Sequence, residues 1–261
     1  MIIYSTHLRL SERQHIVAVT IKMLKLFKLS FRAVKRKRES YSVVNYIETS
    51  IKERDIVFDI GSKEDDYLYI IRKKLGKSGR IIVFESRPYL LQQLAHLKKN
   101  LRWKNVELEP LVLSDISCMI TVYNSVNANY QPSSHGAIVI NINDNPADGI
   151  ANKIIVDTLD NYCGKNNIHP SFLKIDAGGN ELKLLKGAIN ILKNDKPKIL
   201  LKCEERLAGA QNVLETFKYL QQLGYTGFFV LDTIRIPIVN FDFNLYQNTC
   251  NNFYCNNFMF E

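Results

Sequence analysis

From residue 54 onward, short apolar runs rich in β-branched and aromatic residues alternate with stretches whose apolar positions recur every three to four residues. That alternation is the pattern of βαβ units wound around a parallel sheet. It predicts strands over 56–60, 81–85, 106–111, 172–176, 199–203 and 227–231. Helices are predicted over 67–75, 89–100, 181–194 and 212–223, the last stopped by Gly224, which suits a helix C-terminus.

Ahead of this region, Ile16, Val19, Met23, Leu26, Phe27, Phe31 and Val34 fall at helical spacing beside Lys22, Lys25, Lys28 and Arg32. They predict a basic amphipathic helix, which either covers one edge of the domain with its lysines in water or lies against a membrane surface. The basic run 35–38 reads as a solvated connector. The three lysines also interrupt the best apolar run near the N-terminus, so no stretch approaches the ~20 residues of a membrane span. A small-residue cleavage site is lacking, which argues against secretion. Between 116 and 155 lies a stretch rich in Asn, Ser, Asp and Pro, with weak strand patterns at 119–123 and 137–142. Its length suits either part of a substrate pocket or a surface excursion.

At 261 residues, with 46% hydrophobic and 23% charged, the chain suits one well-buried domain with an extension. The net charge of +9 changes the picture only through its location: ten basic residues against Glu12 and Glu39 put +8 of it within residues 1–40. The rest is nearly neutral, so no broad phosphate-binding face and no nucleic-acid partner are expected. Cys118, Cys163, Cys203, Cys250 and Cys255 form neither a CxxC pair nor a zinc spacing, which predicts a reduced, cytoplasmic setting, no metal site and no Cys250–Cys255 disulfide. His96, His135, His169 and Trp103 carry no pattern that points to chemistry.

The candidate chemistry lies at strand ends. The first strand closes on Asp59-Ile60-Gly61, where an open α/β sheet receives ligands and a glycine permits close backbone approach. Glu85 ends the second strand 24 residues after Gly61, near the spacing that sets a carboxylate on ribose hydroxyls; a helix N-terminal acid is the other reading. Ser114-Asp115 suits an adenine neighbour or an N-cap. Asp176, Glu204 and Glu181 are further acids at the ends of later strands and at a helix start, where carboxylates can take part in acid–base chemistry. Alternatively Asp176 caps the helix beginning near Asn180, and Glu204 and Glu205 are merely solvated.

In order, DIVFDIG, GRIIVFES-RP, LVLSD, DTLDNYC, FLKIDAGGNELKLLKGA, KPKILLKCEER, LGYTGFF and NNFMF resemble the FkbM methyltransferase family over roughly residues 50–261. The resemblance implies a Rossmann-like class I methyltransferase fold, α/β, with a mostly parallel seven-stranded sheet and helices on both faces. Residues 1–49 are then a basic helical extension and 50–261 the methyltransferase domain. It further implies S-adenosylmethionine as cofactor, held by Asp59, Gly61, Glu85, Ser114 and Asp115. Asp176, Glu204 and Glu181 would face the transferred methyl and the acceptor, a hydroxyl of a carbohydrate, glycolipid or secondary metabolite. Three departures stand out: Gly61-Ser62-Lys63-Glu64-Asp65-Asp66 replaces a GANxG-like loop, Gly178-Gly179 replaces an EG pair, and Leu207 stands where a histidine is common. They leave the core pattern intact, so a catalytically silent module binding a partner or glycan precursor is the alternative expectation.

Overall fold

The computed structural model describes residues 39–61, 67–125, 149–231, 233–248, 250 and 254–261. Its elements in chain order are α1 (Glu39–Ser50), β1 (Ile56–Ile60), α2 (Tyr67–Leu75), β2 (Arg80–Phe84), α3 (Pro88–Asn100), β3 (Val106–Glu109), β4 (Leu111–Leu113), β5 (Cys118–Ser125) and β6 (Gly149–Asp157). There follow α4 (Leu159–Asn166), β7 (Phe172–Ile175), α5 (Glu181–Lys186), α6 (Ile189–Asn194), β8 (Lys198–Lys202), α7 (Glu205–Ala208), α8 (Ala210–Gln222), β9 (Gly227–Leu231), β10 (Ile234–Pro237), α9 (Phe243–Tyr246) and β11 (Asn257–Phe260).

The main sheet runs β3-β2-β1-β7-β8-β11-β9-β10. Strands β3, β2, β1, β7 and β8 are parallel, and β11 enters antiparallel between β8 and β9. Eight strands stand where seven were expected, because β10 pairs back on β9 as an added edge. Strand alternation sends Phe58, Ile60, Ile82, Phe84, Leu173, Ile175, Ile199 and Leu201 to the face covered by α4, α5, α6 and α8. Val57, Ile81, Val83, Phe172 and Leu200 face α1, α2 and α3. Both faces are therefore sealed, which is why the central strands read as continuous apolar runs.

Several elements differ from the sequence expectation, each for a physical reason. The strand expected over 106–111 is two strands, because Pro110 has no N–H to continue the ladder. Beyond it β4 leaves the main sheet and joins a second sheet, β4-β6-β5. The weak pattern at 119–123 is β5, whereas 137–142 lies outside the described residues. The helix expected over 181–194 is split into α5 and α6 at Gly187, whose backbone rests on Ser114: a Cβ there would sit 2.0 Å from the Ser114 carbonyl oxygen.

Residues 39–49, expected in the extension, form a helix of the domain itself. Val43, Tyr46 and Ile47 are buried, and the Tyr46 hydroxyl donates to the Phe260 carbonyl at 3.2 Å. The amphipathic helix expected over 16–34 and the basic run 35–38 lie outside the described residues. Among the described residues no helix is long and apolar enough to cross a membrane. The five cysteines carry free thiols.

Candidate active site

Chain order sets where a ligand can enter. From β1 the chain builds β2 and β3 outward on one side, then returns to β7 on the other, so the carboxyl ends of β1 and β7 border the crevice where open sheets bind ligands. Ile60 lies in register with Phe84 and Ile175, and Ile175 with Leu201. The next residues, Glu85, Gly61, Asp176 and Lys202, therefore form one row across β2, β1, β7 and β8. One step lower on the same face, Asp59 pairs in register with Lys174.

Gly61 holds the row together. Its N–H donates to the Phe84 carbonyl at 3.0 Å, while Asp176 N–H donates to the Ile60 carbonyl at 2.9 Å. Its φ of +73° is open to glycine at little cost, and a Cβ would sit 2.0 Å from the Asp176 carbonyl oxygen. The loop 62–66, which carries the altered glycine motif and Asp65, lies outside the described residues.

Among the described carboxylates of the rim, Glu85, Asp176 and Glu204 each have a cation. Glu85 accepts the Arg87 backbone N–H and Nε at 2.8 Å each on Oε1, and Nη2 at 2.6 Å on Oε2. Asp176 Oδ2 accepts Lys202 Nζ at 3.2 Å, and the same ammonium lies 3.5 Å from Glu204 Oε1. Glu204 Oε2 accepts Arg206 Nε at 2.5 Å and the Tyr254 hydroxyl at 3.0 Å. The result is an alternating chain, Glu85–Arg87 and Asp176–Lys202–Glu204–Arg206, along the ends of three strands. Burial opposes the Glu204 charge, but Arg206, Lys202 and Tyr254 together hold its pKa below the ordinary carboxylate range.

Glu181 behaves oppositely. Its carboxylate turns back to accept the Gly179 N–H at 3.0 Å, yet burial, helped by the Asp176 charge, raises its pKa. Cys203, fully buried nearby, is pushed well above the thiol range by burial and by Glu181, Asp176 and Glu204. Three carboxylates thus act on one spot. At Gly178, two residues after Asp176, a Cβ would meet no described atom within 4 Å.

Asp176, Glu181 and Glu204 all lie near Cys203, and all three are buried. At the start of α5 the N-cap Asn180 makes no side-chain cap, and Glu181 turns back to the Gly179 N–H that precedes it. Gly61 and Glu85 reach the shared rim. Asp59 does not: it is fully buried one step below, with Oδ1 on Lys174 Nζ at 2.8 Å and Oδ2 without a hydrogen-bond partner. Ser114 and Asp115 stand outside the row, since β4 carries them into the second sheet. There Ser114 N–H donates to the Asp157 carbonyl and Ser114 Oγ to Asp115 Oδ1, each at 3.0 Å.

Sequence reasoning missed the partners, namely Arg87, Lys174, Lys202 and Arg206. A signal existed for Lys174 and Lys202, isolated charges in otherwise apolar strands. Among the described residues no cluster of His, Cys, Asp or Glu has the arrangement of a metal site.

Comparison with known proteins bears on the family and the fold. Residues 50–226, more than half of the chain, match the model of the methyltransferase FkbM domain. The fold is similar to that of the methyltransferase FkbM from Methylobacillus flagellatus KT, at 14% identity and a TM-score of 0.53, covering 89% of this chain and 58% of that one. The chain thus spans somewhat more than half of that protein's length. A SAM-dependent O-methyltransferase from Thermotoga maritima is similar at 11% identity and a TM-score of 0.43, covering 84% of this chain and 63% of that one. Aeropyrum pernix fibrillarin, solved with bound S-adenosyl-L-methionine, is similar at 10% identity and a TM-score of 0.45, covering 81% and 67%. No curated protein matches the sequence.

Proposed function

The chain belongs to the FkbM methyltransferase family, and on that premise we propose that it transfers a methyl group from S-adenosylmethionine to a hydroxyl of a carbohydrate, glycolipid or secondary-metabolite acceptor. The observation that carries the reading is the row Glu85, Gly61 and Asp176 at the switch between β1 and β7. It sets a carboxylate for vicinal hydroxyls, a side-chain-free crossing and an acceptor-side carboxylate on three adjacent strands.

Bound S-adenosylmethionine supplies a methyl already made electrophilic by its sulfonium. The chain's own residues need only align an acceptor oxygen and receive its proton. Asp176 does the first, because Lys202 holds its carboxylate at the rim. Glu181, whose pKa burial raises, is the proton-accepting group, and Glu204 shares Lys202 with Asp176. Glu85 takes the ribose, while the adenine end is assigned to Ser114 and Asp115 on the family resemblance alone.

The paired state of Glu85, Asp176 and Glu204 favours a second reading, a catalytically silent module that binds a partner or glycan precursor. Calorimetry and thermal shift with S-adenosylhomocysteine separate the two. Methyl transfer predicts heat, stabilisation, and at least a tenfold loss of affinity in Glu85→Gln, on the order of one charge-assisted hydrogen bond. No heat and no shift at millimolar ligand supports the silent module, and unchanged affinity in Glu85→Gln removes Glu85 from the site.

A further inference from the structure

We infer that Arg87 is a built-in competitor for the donor's ribose: its guanidinium holds the two Glu85 oxygens that the ribose hydroxyls need, and it must swing toward Asp176 before the donor can seat. The inference rests on the donor reading above and adds to it a residue that sets donor affinity.

Glu85 is closed to solvent, with 2% of its side chain exposed, whereas Arg87, bonded to both its oxygens, is 30% exposed. Nε and Nη2 address the two carboxylate oxygens side by side, the paired geometry of a guanidinium fork. Two vicinal hydroxyls approaching Glu85 seek the same outward lone pairs, so fork and diol exclude one another. The third bond is different. Arg87 N–H, fixed where the chain enters α3 at Pro88, donates to Oε1 from the backbone. It stays when the side chain leaves, so Glu85 remains aimed.

The displaced guanidinium has a destination. In the row, Gly61 separates Glu85 from Asp176, and glycine offers no side chain to bar the path. Glu85 is the main cause of the raised Arg87 pKa, but the Asp176 charge already contributes, which places Asp176 within electrostatic reach. Donor entry therefore exchanges one carboxylate partner for another instead of stripping a cation bare. The exchange also brings a second cation to the acceptor-side carboxylate, so donor occupancy is registered at Asp176.

The test is calorimetric titration of S-adenosylhomocysteine into the full chain, its Arg87→Ala variant and its Arg87→Met variant, which keeps the side-chain stem should alanine disturb the fold. Thermal unfolding checks that each variant is folded. Removing the guanidinium is expected to tighten binding about tenfold, or about 1.4 kcal/mol. The gain should vanish for the 2′,3′-dideoxyribose analogue, which has no hydroxyls to compete. Equal or weaker binding by both variants, with wild-type binding intact, overturns the competitor and leaves the donor reading standing. A gain that persists with the dideoxy analogue also overturns it, since the effect is then not on the ribose. Absence of binding by all three proteins overturns the donor reading and this inference together.

Discussion

Asp59–Lys174 and Glu85–Arg87 are both carboxylate–cation pairs on the same face of the sheet, one step apart in register, yet they do opposite work. Lys174 and Asp59 are sealed, with 6% and 0% of their side chains exposed, and the carboxylate keeps one oxygen unsatisfied. Glu85 has both oxygens filled, but by a side chain with solvent on its far side. Two residues of strand separate a pair that cannot open from one that can. The depth of the cation, more than the chemistry of the pair, divides fold from site. A buried pair that loses one member leaves an unpaired charge in a poor solvent, whereas a rim cation can be replaced by water or ligand.

Breaking the deeper pair gives the largest expected effect. Lys174→Met should cost about 3–5 kcal/mol in urea unfolding, because Asp59 is left buried and unpaired. Adding Asp59→Leu to that variant should recover most of the loss. A cost below about 1 kcal/mol for the single variant would mean that the pair is not structural.

A third carboxylate sharpens the contrast, since it is held mostly by neutral donors. Asp157 accepts Ser117 Oγ at 2.6 Å, Thr158 N–H at 2.9 Å, Asn161 Nδ2 at 3.1 Å and Lys165 Nζ at 3.1 Å. Burial opposes its charge, but these bonds bring its pKa down from 3.8 to about 2. A folded-state pKa below the unfolded one stabilises the fold above about pH 3.8, and that contribution is lost as the pH falls toward about 2. Its size is about 2 kcal/mol. Acid unfolding followed by circular dichroism should therefore be flatter between those two pH values in Asp157→Asn, and an unchanged slope would assign the pH dependence elsewhere. The smallest effect belongs to Lys165→Ala. Its side chain is 69% exposed, and the loss should stay under about 0.5 kcal/mol by thermal unfolding.

These pairs also show what one sequence can tell. Strands β1 and β9 and helix α2 fall on their expected residues because burial on one or both faces writes itself directly into local composition. Helix α1 escaped notice because its buried positions, Val43, Tyr46 and Ile47, sit in a short polar-looking stretch beside a strongly basic segment. The break at Gly187 and the departure of β4 arise from contacts with Ser114 and β6, distant in sequence and invisible to a local window. In the site, Glu85, Asp176, Glu181 and Glu204 were legible as acids at strand and helix ends. Their states were not, since Lys174 meets Asp59 across 115 residues and Tyr254 meets Glu204 across 50. A strand-end aspartate reads the same whether it faces a crevice or a lysine.

Strand β11 follows β8 and β9 in the chain but lies between them, with Met259 in register with Leu200 on one side and Phe228 on the other. As a ribosome emits the polypeptide, two neighbouring edges must wait, hydrogen-bonding groups bare, for a strip of four residues made after both. Nascent chains are thus most prone to stick to one another just before synthesis reaches that strip, and a trigger of misassembly should be sought in that interval.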